Sequence, residues 1–109
     1  MESGVKFMQI IIRRNGSIYY AEIAGDLDHH SAKMVAAELD KIIQNEKLDI
    51  LILDMKKLSF MDSSGLGVIL GRYKQLKEKN AALQFMNVPK SCDKLLTMSG
   101  VYSIAQKIN

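Results

Sequence analysis

The chain has 109 residues, 48% hydrophobic and 25% charged, which is the length and apolar content of one ordinary domain and excludes a two-domain enzyme. Its 15 Lys and Arg against 12 Asp and Glu leave a formal charge of +3. That is too mild for a dedicated nucleic-acid binder, whose basic residues cluster on one face or along one helix. The one cysteine, Cys92, excludes an internal disulfide and points to a reducing cytoplasm.

The longest run without a charged residue, Leu95 to Gln106, contains Ser, Thr and Gln and falls short of the about 18 apolar residues that a membrane span needs. Met1 to Ser17 carries Glu2 near its start and has neither a long apolar run nor a small-residue cleavage site. No membrane association and no secretion are expected. No repeat or Pro-rich linker interrupts the chain, so residues 1–109 read as a single domain.

Taken in order, Phe7 to Arg13 reads as a strand, and Arg14-Asn15-Gly16-Ser17 supplies an Asn-Gly pair suited to a tight hairpin turn. Ser17 to Ala24 returns as the second strand, and Gly25 to His30 breaks the pattern. Ala32, Val35, Ala36, Leu39, Ile42 and Ile43 recur at helical spacing and predict an amphipathic helix to about Asn45. Ile50 to Leu53 is a continuous apolar run between Asp49 and Asp54, the signature of a strand buried on both faces in a parallel sheet. From Ser64 to Lys79, Leu66, Ile69, Leu70, Tyr73 and Leu76 form a stripe, with Lys74, Lys77 and Lys79 near the end where cations suit the helix dipole. Leu83 to Val88 predicts a strand, Pro89 opens a third helix, Gly100 stops it, and Val101 to Ile108 predicts a last short strand.

Alternating strands and helices after a hairpin predict an α/β domain. Its sheet is mixed and mainly parallel, with an N-terminal β-hairpin and helices packed on it. In such sheets the loops at the C-terminal ends of the strands share an edge with the helix N-termini, where ligands and partners bind. Asp28-His29-His30, Asp54 to Ser64, and Val88-Pro89 all fall on that edge.

Within Phe60-Met61-Asp62-Ser63-Ser64-Gly65-Leu66-Gly67, two hydroxyls and a carboxylate stand where a helix begins. One reading is a helix cap, because Asp62 or either serine supplies an oxygen to an orphan backbone N–H. The other is a docking surface, with Phe60 and Met61 adding apolar area beside an accessible serine. Phosphorylation there adds about −1.5 to −2 charges beside Asp62, and free N–H groups at a helix N-terminus favour an anion. A switch that changes the surface without unfolding the domain is therefore available. Residue physics alone does not separate Ser63 from Ser64.

Other chemistries fit less well. A serine hydrolase elbow needs Gly-x-Ser-x-Gly, and Met61 and Asp62 occupy the two positions before Ser63. His29 or His30 as a base toward Ser63 would still lack an oxyanion hole. Gly65, Gly67 and Gly71 miss the dinucleotide fingerprint, whose third glycine falls on Leu70. Gly67-x-x-x-Gly71 is read as close packing of helix on sheet. Asp28-His29-His30 lacks the further ligands of a metal site, so neither metal nor cofactor is expected. Cys92, Met34, Met86 and Met98 are read as core residues.

With Asp62-Ser63-Ser64-Gly65-Leu66-Gly67 in place, the chain resembles the STAS-domain anti-sigma factor antagonists. Gly25-Asp26-Leu27-Asp28-His29-His30-Ser31-Ala32, the block Leu58 to Gln75, and Met98-Ser99-Gly100 extend the resemblance over nearly the whole chain. It implies a STAS-like fold and a non-enzymatic regulator whose unphosphorylated form binds an anti-sigma factor that is also a serine kinase. That binding releases the sigma factor, and the kinase, which carries the ATP or ADP, switches it off by phosphorylating one serine. The position after the aspartate assigns this role to Ser63, with Ser64 competing, and a PP2C-type phosphatase restores the active form. Asp28, His29, His30, Met61, Asp62, Ser64, Gly65 and Leu66 are the implied docking residues. The Asp-His-His loop and the central block favour the sporulation branch, acting on sigma F, over a general stress branch; a small nucleotide-binding domain is the reading from another class. The free protein is expected to be a cytoplasmic monomer. The chain stops at Asn109, where family members commonly continue into a final helix, so a short C-terminal cover of the sheet is expected.

Overall fold

The hairpin that opens the sheet is built from β1 (Gln9–Asn15) and β2 (Ile18–Leu27), paired antiparallel from Gln9↔Ala24 to Asn15↔Ile18. The computed structural model describes residues 8–45 and 47–109, so Phe7, the expected first residue of the strand, lies outside the described residues. The turn is Gly16–Ser17 rather than one centred on Asn15-Gly16. Asn15 ends the strand, and positive φ falls only on Gly16, at 64°, as in a type II′ turn.

The expected break at Gly25 is instead a bulge. Tyr19 to Glu22 of β2 lie beside Leu51 to Asp54 of β3 (Ile50–Asp54), and from Gly25 the same strand pairs with β4 (Leu58–Met61), with a register shift between Gly25 and Asp26. Gly25 adopts φ 110°, which a side chain rarely tolerates, so the strand bends without ending. The segment Leu58 to Met61, expected as loop, is therefore a strand. Its four residues are too few to show a period, and only their pairing with the far end of β2 extends them.

Helix α1 (Ala32–Ile43) follows β2, α2 (Ser63–Glu78) follows β4, and β5 (Ala82–Met86) pairs with β3. Helix α3 (Lys90–Ser99) runs from Pro89 to a left-handed Gly100, as the sequence predicts. The last segment differs from expectation. Val101–Ser103 winds into a 3-10 turn, with Ser103 and Ile104 donating to the carbonyls of Gly100 and Val101, and only Gln106–Lys107 forms β6. The strand order is β1-β2-β3-β5-β6, with β4 beside β2, and every pairing except the hairpin is parallel.

One face of the sheet presents Tyr19, Ala21, Ile23, Leu51, Leu53, Leu83 and Phe85, all buried. They share a core with Val35, Leu39, Ile42 and Ile43 of α1 and Val68, Ile69 and Leu76 of α2. Each fully enclosed leucine there stabilises the fold by roughly 1.5–3 kcal/mol. Cys92 is also fully buried, and burial pushes its thiol pKa up.

Two expectations about the helices fail for one geometric reason. Residues turn about 100° per position, so Met34 stands one step off the Val35–Leu39–Ile42 stripe, and Met98 two steps from Leu96; they are 42% and 75% exposed. On α2 the buried face is Gly65, Val68, Ile69 and Leu76, which leaves Leu70 exposed. A Cβ at Gly67 or Gly71 would meet nothing within 4 Å, so neither packs closely on the sheet. Gly65 does: a Cβ there would sit 2.3 Å from the Leu27 carbonyl oxygen.

Candidate functional site

Parallel pairing of Leu27 with Met61 brings the ends of β2 and β4 side by side, so the two loops that follow emerge together. The Asp62 N–H reaches the Leu27 carbonyl at 3.4 Å and joins them further. The absence of a side chain at Gly65 lets the first turn of α2 rest directly on the end of β2.

Asp62 is the N-cap of α2, as one of the two sequence readings had it. Its Oδ1 accepts the N–H of Ser64 at 2.8 Å and of Gly65 at 3.1 Å, while Oδ2 accepts the N–H of His29 from the neighbouring loop at 3.3 Å. One carboxylate therefore caps α2 and ties it to the β2–α1 loop. The two N–H groups it occupies are no longer free for an anion, so a phosphate on Ser63 would keep most of its charge exposed beside Asp62.

The β2–α1 loop is held by Asp28. Its Oδ1 accepts the N–H of His30 at 2.9 Å and of Ser31 at 3.2 Å, and the Ser31 hydroxyl donates to the Asp26 carbonyl at 2.6 Å. Burial pushes the Asp28 carboxyl up, but the Ser31 and His30 N–H groups, the His30 charge and the Ser31 hydroxyl outweigh it and leave the pKa lowered. His29 and His30 are exposed, with ring centres 5.4 Å apart.

Ser63 is exposed at the first position of α2, and among the described residues its hydroxyl has no hydrogen-bond partner. Ser64 is half-buried. Neither imidazole hydrogen-bonds Ser63, and no cluster of three metal-ligating side chains forms among the described residues. The geometry offers an accessible hydroxyl on a braced surface rather than an activated nucleophile.

The structure brings Asp28, His29, His30, Asp62, Ser64 and Leu66 to this edge but corrects two of the docking residues. Met61 is 5% exposed and Gly65 is buried, so both support the surface from beneath. The apolar area in that segment belongs to Phe60, which is 51% exposed. Strand alternation explains this, since Met61 faces the core and its neighbour must face away; read as loop, the segment did not tell the two apart. Met34, on the first turn of α1, is a further exposed apolar residue, one that the sequence reading placed in the core. A concavity of about 560 Å³ lined by Tyr102 to Lys107 lies at the β6 side of the sheet. Among the described residues no helix is long and apolar enough to cross a membrane.

Comparison with known proteins places this geometry in a family. The STAS domain matches residues 9–108. The anti-sigma F factor antagonist of Paenibacillus polymyxa is 39% identical over 97 residues, covering 89% of this chain and 83% of that protein. The unphosphorylated form of the anti-sigma factor antagonist SpoIIAA superposes with a TM-score of 0.71 at 25% identity, covering 94% of this chain and 88% of that one. The phosphorylated form of the Bacillus cell fate determinant SpoIIAA superposes with a TM-score of 0.72 at 25% identity, covering 94% and 92%. By the extent of these matches, this chain belongs to the STAS-domain anti-sigma factor antagonists.

Proposed function

We propose that the unphosphorylated protein binds an anti-sigma factor serine kinase through the Ser63 edge, releases sigma F for transcription in sporulation, and is switched off by phosphorylation of Ser63. The observation that carries this reading is an exposed, unbonded Ser63 hydroxyl beside a carboxylate that already occupies the helix-end N–H groups. A phosphate there adds about −1.5 to −2 charges with little local neutralisation. A partner seated on a neutral Ser63 then has to desolvate that anion, and a penalty of only about 2.8 kcal/mol lowers affinity a hundredfold.

The protein itself carries out no reaction in this scheme; the kinase holds the nucleotide, and a PP2C-type phosphatase regenerates the active form in the cytoplasm. The contact surface comprises Asp28, His29, His30, Phe60, Asp62, Ser64 and Leu66. The similarity to an anti-sigma F factor antagonist supports the sporulation branch over a general stress branch. That phosphorylated and unphosphorylated relatives superpose on this chain equally well supports a switch that alters the surface and leaves the fold in place.

The test is to mix the protein with its anti-sigma kinase and ATP, locate any phosphate by intact mass and peptide mapping, and follow the complex. Single modification at Ser63 with loss of the complex is the expected result. Ser63→Ala is expected to stay folded, within about 0.5 kcal/mol of the parent, and to bind constitutively, whereas Ser63→Asp binds weakly. Failure of Ser63→Ala to bind would show that the neutral surface is not what the kinase recognises.

A further inference from the structure

The sheet ends at β1, and among the described residues nothing pairs with its outer edge. Its seven residues keep an unbroken register with β2 from Gln9↔Ala24 to Asn15↔Ile18, so outward N–H and C=O groups recur at regular ladder spacing. Edge strands are usually blunted by a bulge, a proline, charged side chains or short length. β1 has no bulge and no proline, is seven residues long and carries charge only at Arg13 and Arg14, whereas the opposite edge, β6, is only two residues long.

The side chains on β1 divide into an apolar part and a cationic part. Ile11 and Ile12 point to opposite faces of the sheet and are 49% and 41% exposed. Arg13 and Arg14 follow, again on opposite faces. Each guanidinium is stacked on the tyrosine that pairs with it, 5.1 Å from the Tyr20 ring centre and 5.2 Å from that of Tyr19, and Arg14 Nε also donates to the Gly16 carbonyl. Stacking holds both charges in place beside the free edge, and among the described residues neither arginine pairs with a carboxylate.

We propose that β1 is a docking edge for an extended segment of a partner protein. The segment adds a strand antiparallel to β1 and carries acidic side chains opposite Arg13 and Arg14 and apolar ones opposite Ile12, Ile11 and Ile10. Charge decides between this occupant and a second copy of the chain. β1 contains two arginines and no acidic residue, so self-pairing would gather four cations on one short ladder with nothing to balance them. An acidic and apolar strand satisfies the backbone edge, the isoleucines and the arginines together. This edge is separate from the Ser63 surface: Arg13 pairs with Tyr20 near the start of β2, and Leu27 stands at its end, roughly 23 Å away at strand rise.

The experiment is a titration of the ¹⁵N-labelled full chain with an end-capped synthetic peptide in which a pair of glutamates precedes a run of valines. A control peptide carries lysines in place of the glutamates. Saturable amide shifts centred on Gln9 to Asn15 are expected, with affinity at least about tenfold weaker for the lysine peptide, for the Arg13→Glu/Arg14→Glu protein and for Ile11→Lys. Circular dichroism confirms that these surface variants remain folded. The proposal is overturned by the absence of saturable shifts at millimolar peptide, by equal binding of the lysine peptide, or by shifts that map elsewhere. Dimerisation by sedimentation in the absence of peptide, abolished by Ile11→Lys, would overturn the choice of partner in favour of a second copy.

Discussion

Asp54 and Asp62 stand eight positions apart at the ends of β3 and β4, and the same carboxylate does different work in each place. Asp54 is fully enclosed. Its Oδ1 accepts the Lys56 N–H at 3.2 Å and the Asn87 side-chain amide at 3.1 Å, and Lys56 Nζ approaches its other oxygen at 3.7 Å. Glu22, beside it in register, shares Lys56 at 3.4 Å and adds Lys57 at 3.5 Å. Asp62 is only half-buried and accepts three backbone N–H groups drawn from two segments. Where lysines and an asparagine surround the carboxylate it neutralises the middle of a sheet; where backbone amides surround it, it sets the shape of a surface.

Three substitutions would break or sharpen that division. Gly65→Ala has the largest expected effect, because its Cβ would press on the backbone of Leu27 as well as on the side chains of Leu27 and Met61. A loss of about 3 kcal/mol, measured by urea unfolding, is expected together with weaker kinase binding. Asp54→Ala leaves the Asn87 amide without its partner and Lys56 with Glu22 alone. It should cost about 2 kcal/mol of stability with unchanged affinity for the kinase; a comparable drop in affinity would mean that the two carboxylates are not divided in role. Asp62→Ala removes the cap and should cost about 1 kcal/mol, yet reduce kinase binding more than Asp54→Ala does.

The smallest effect concerns Asp93, on α3. Hydrogen bonds from Tyr102 at 2.6 Å and Lys107 at 3.0 Å lower its pKa, and the same contact, after burial, raises that of Tyr102. A carboxylate depressed in the folded state adds stability that is present above its unfolded pKa of about 3.9 and lost as pH falls through its folded value. Asp93→Asn should therefore lower stability slightly at neutral pH, where the contribution is present, and converge with the parent in acid, which flattens the acid limb of a plot of stability against pH. An unaltered acid limb would show that this contact does not persist in solution.

Much of the fold was legible because local signals are strong where one residue type is required. Pro89 and Gly100 bracket α3, Asp62 caps α2, and the apolar run Ile50 to Leu53 lies in the middle of a parallel sheet. That the Asp28 and Asp62 loops meet at one end of the sheet was legible for the same reason, since β-to-α loops converge there. The error over Met61 arose because β4 has no periodicity of its own and becomes a strand only by lying along β2 from Gly25 onward. The three glycines of α2 carry no side chain to report which way they face, so sequence assigned close packing to Gly67 and Gly71 where the structure requires it at Gly65.

By itself, then, the sequence determined where helices start and stop, that the sheet is mainly parallel, and that Asp62 and Ser63 share a helix N-terminus. The tertiary structure decided which apolar residues are left outside, which glycine touches a strand, and that Asp62 also holds the His29 loop. Periodicity fixes the angles between residues on one element, but the absolute orientation of that element is set only when it packs, and contacts between segments 33 positions apart exist only once it has.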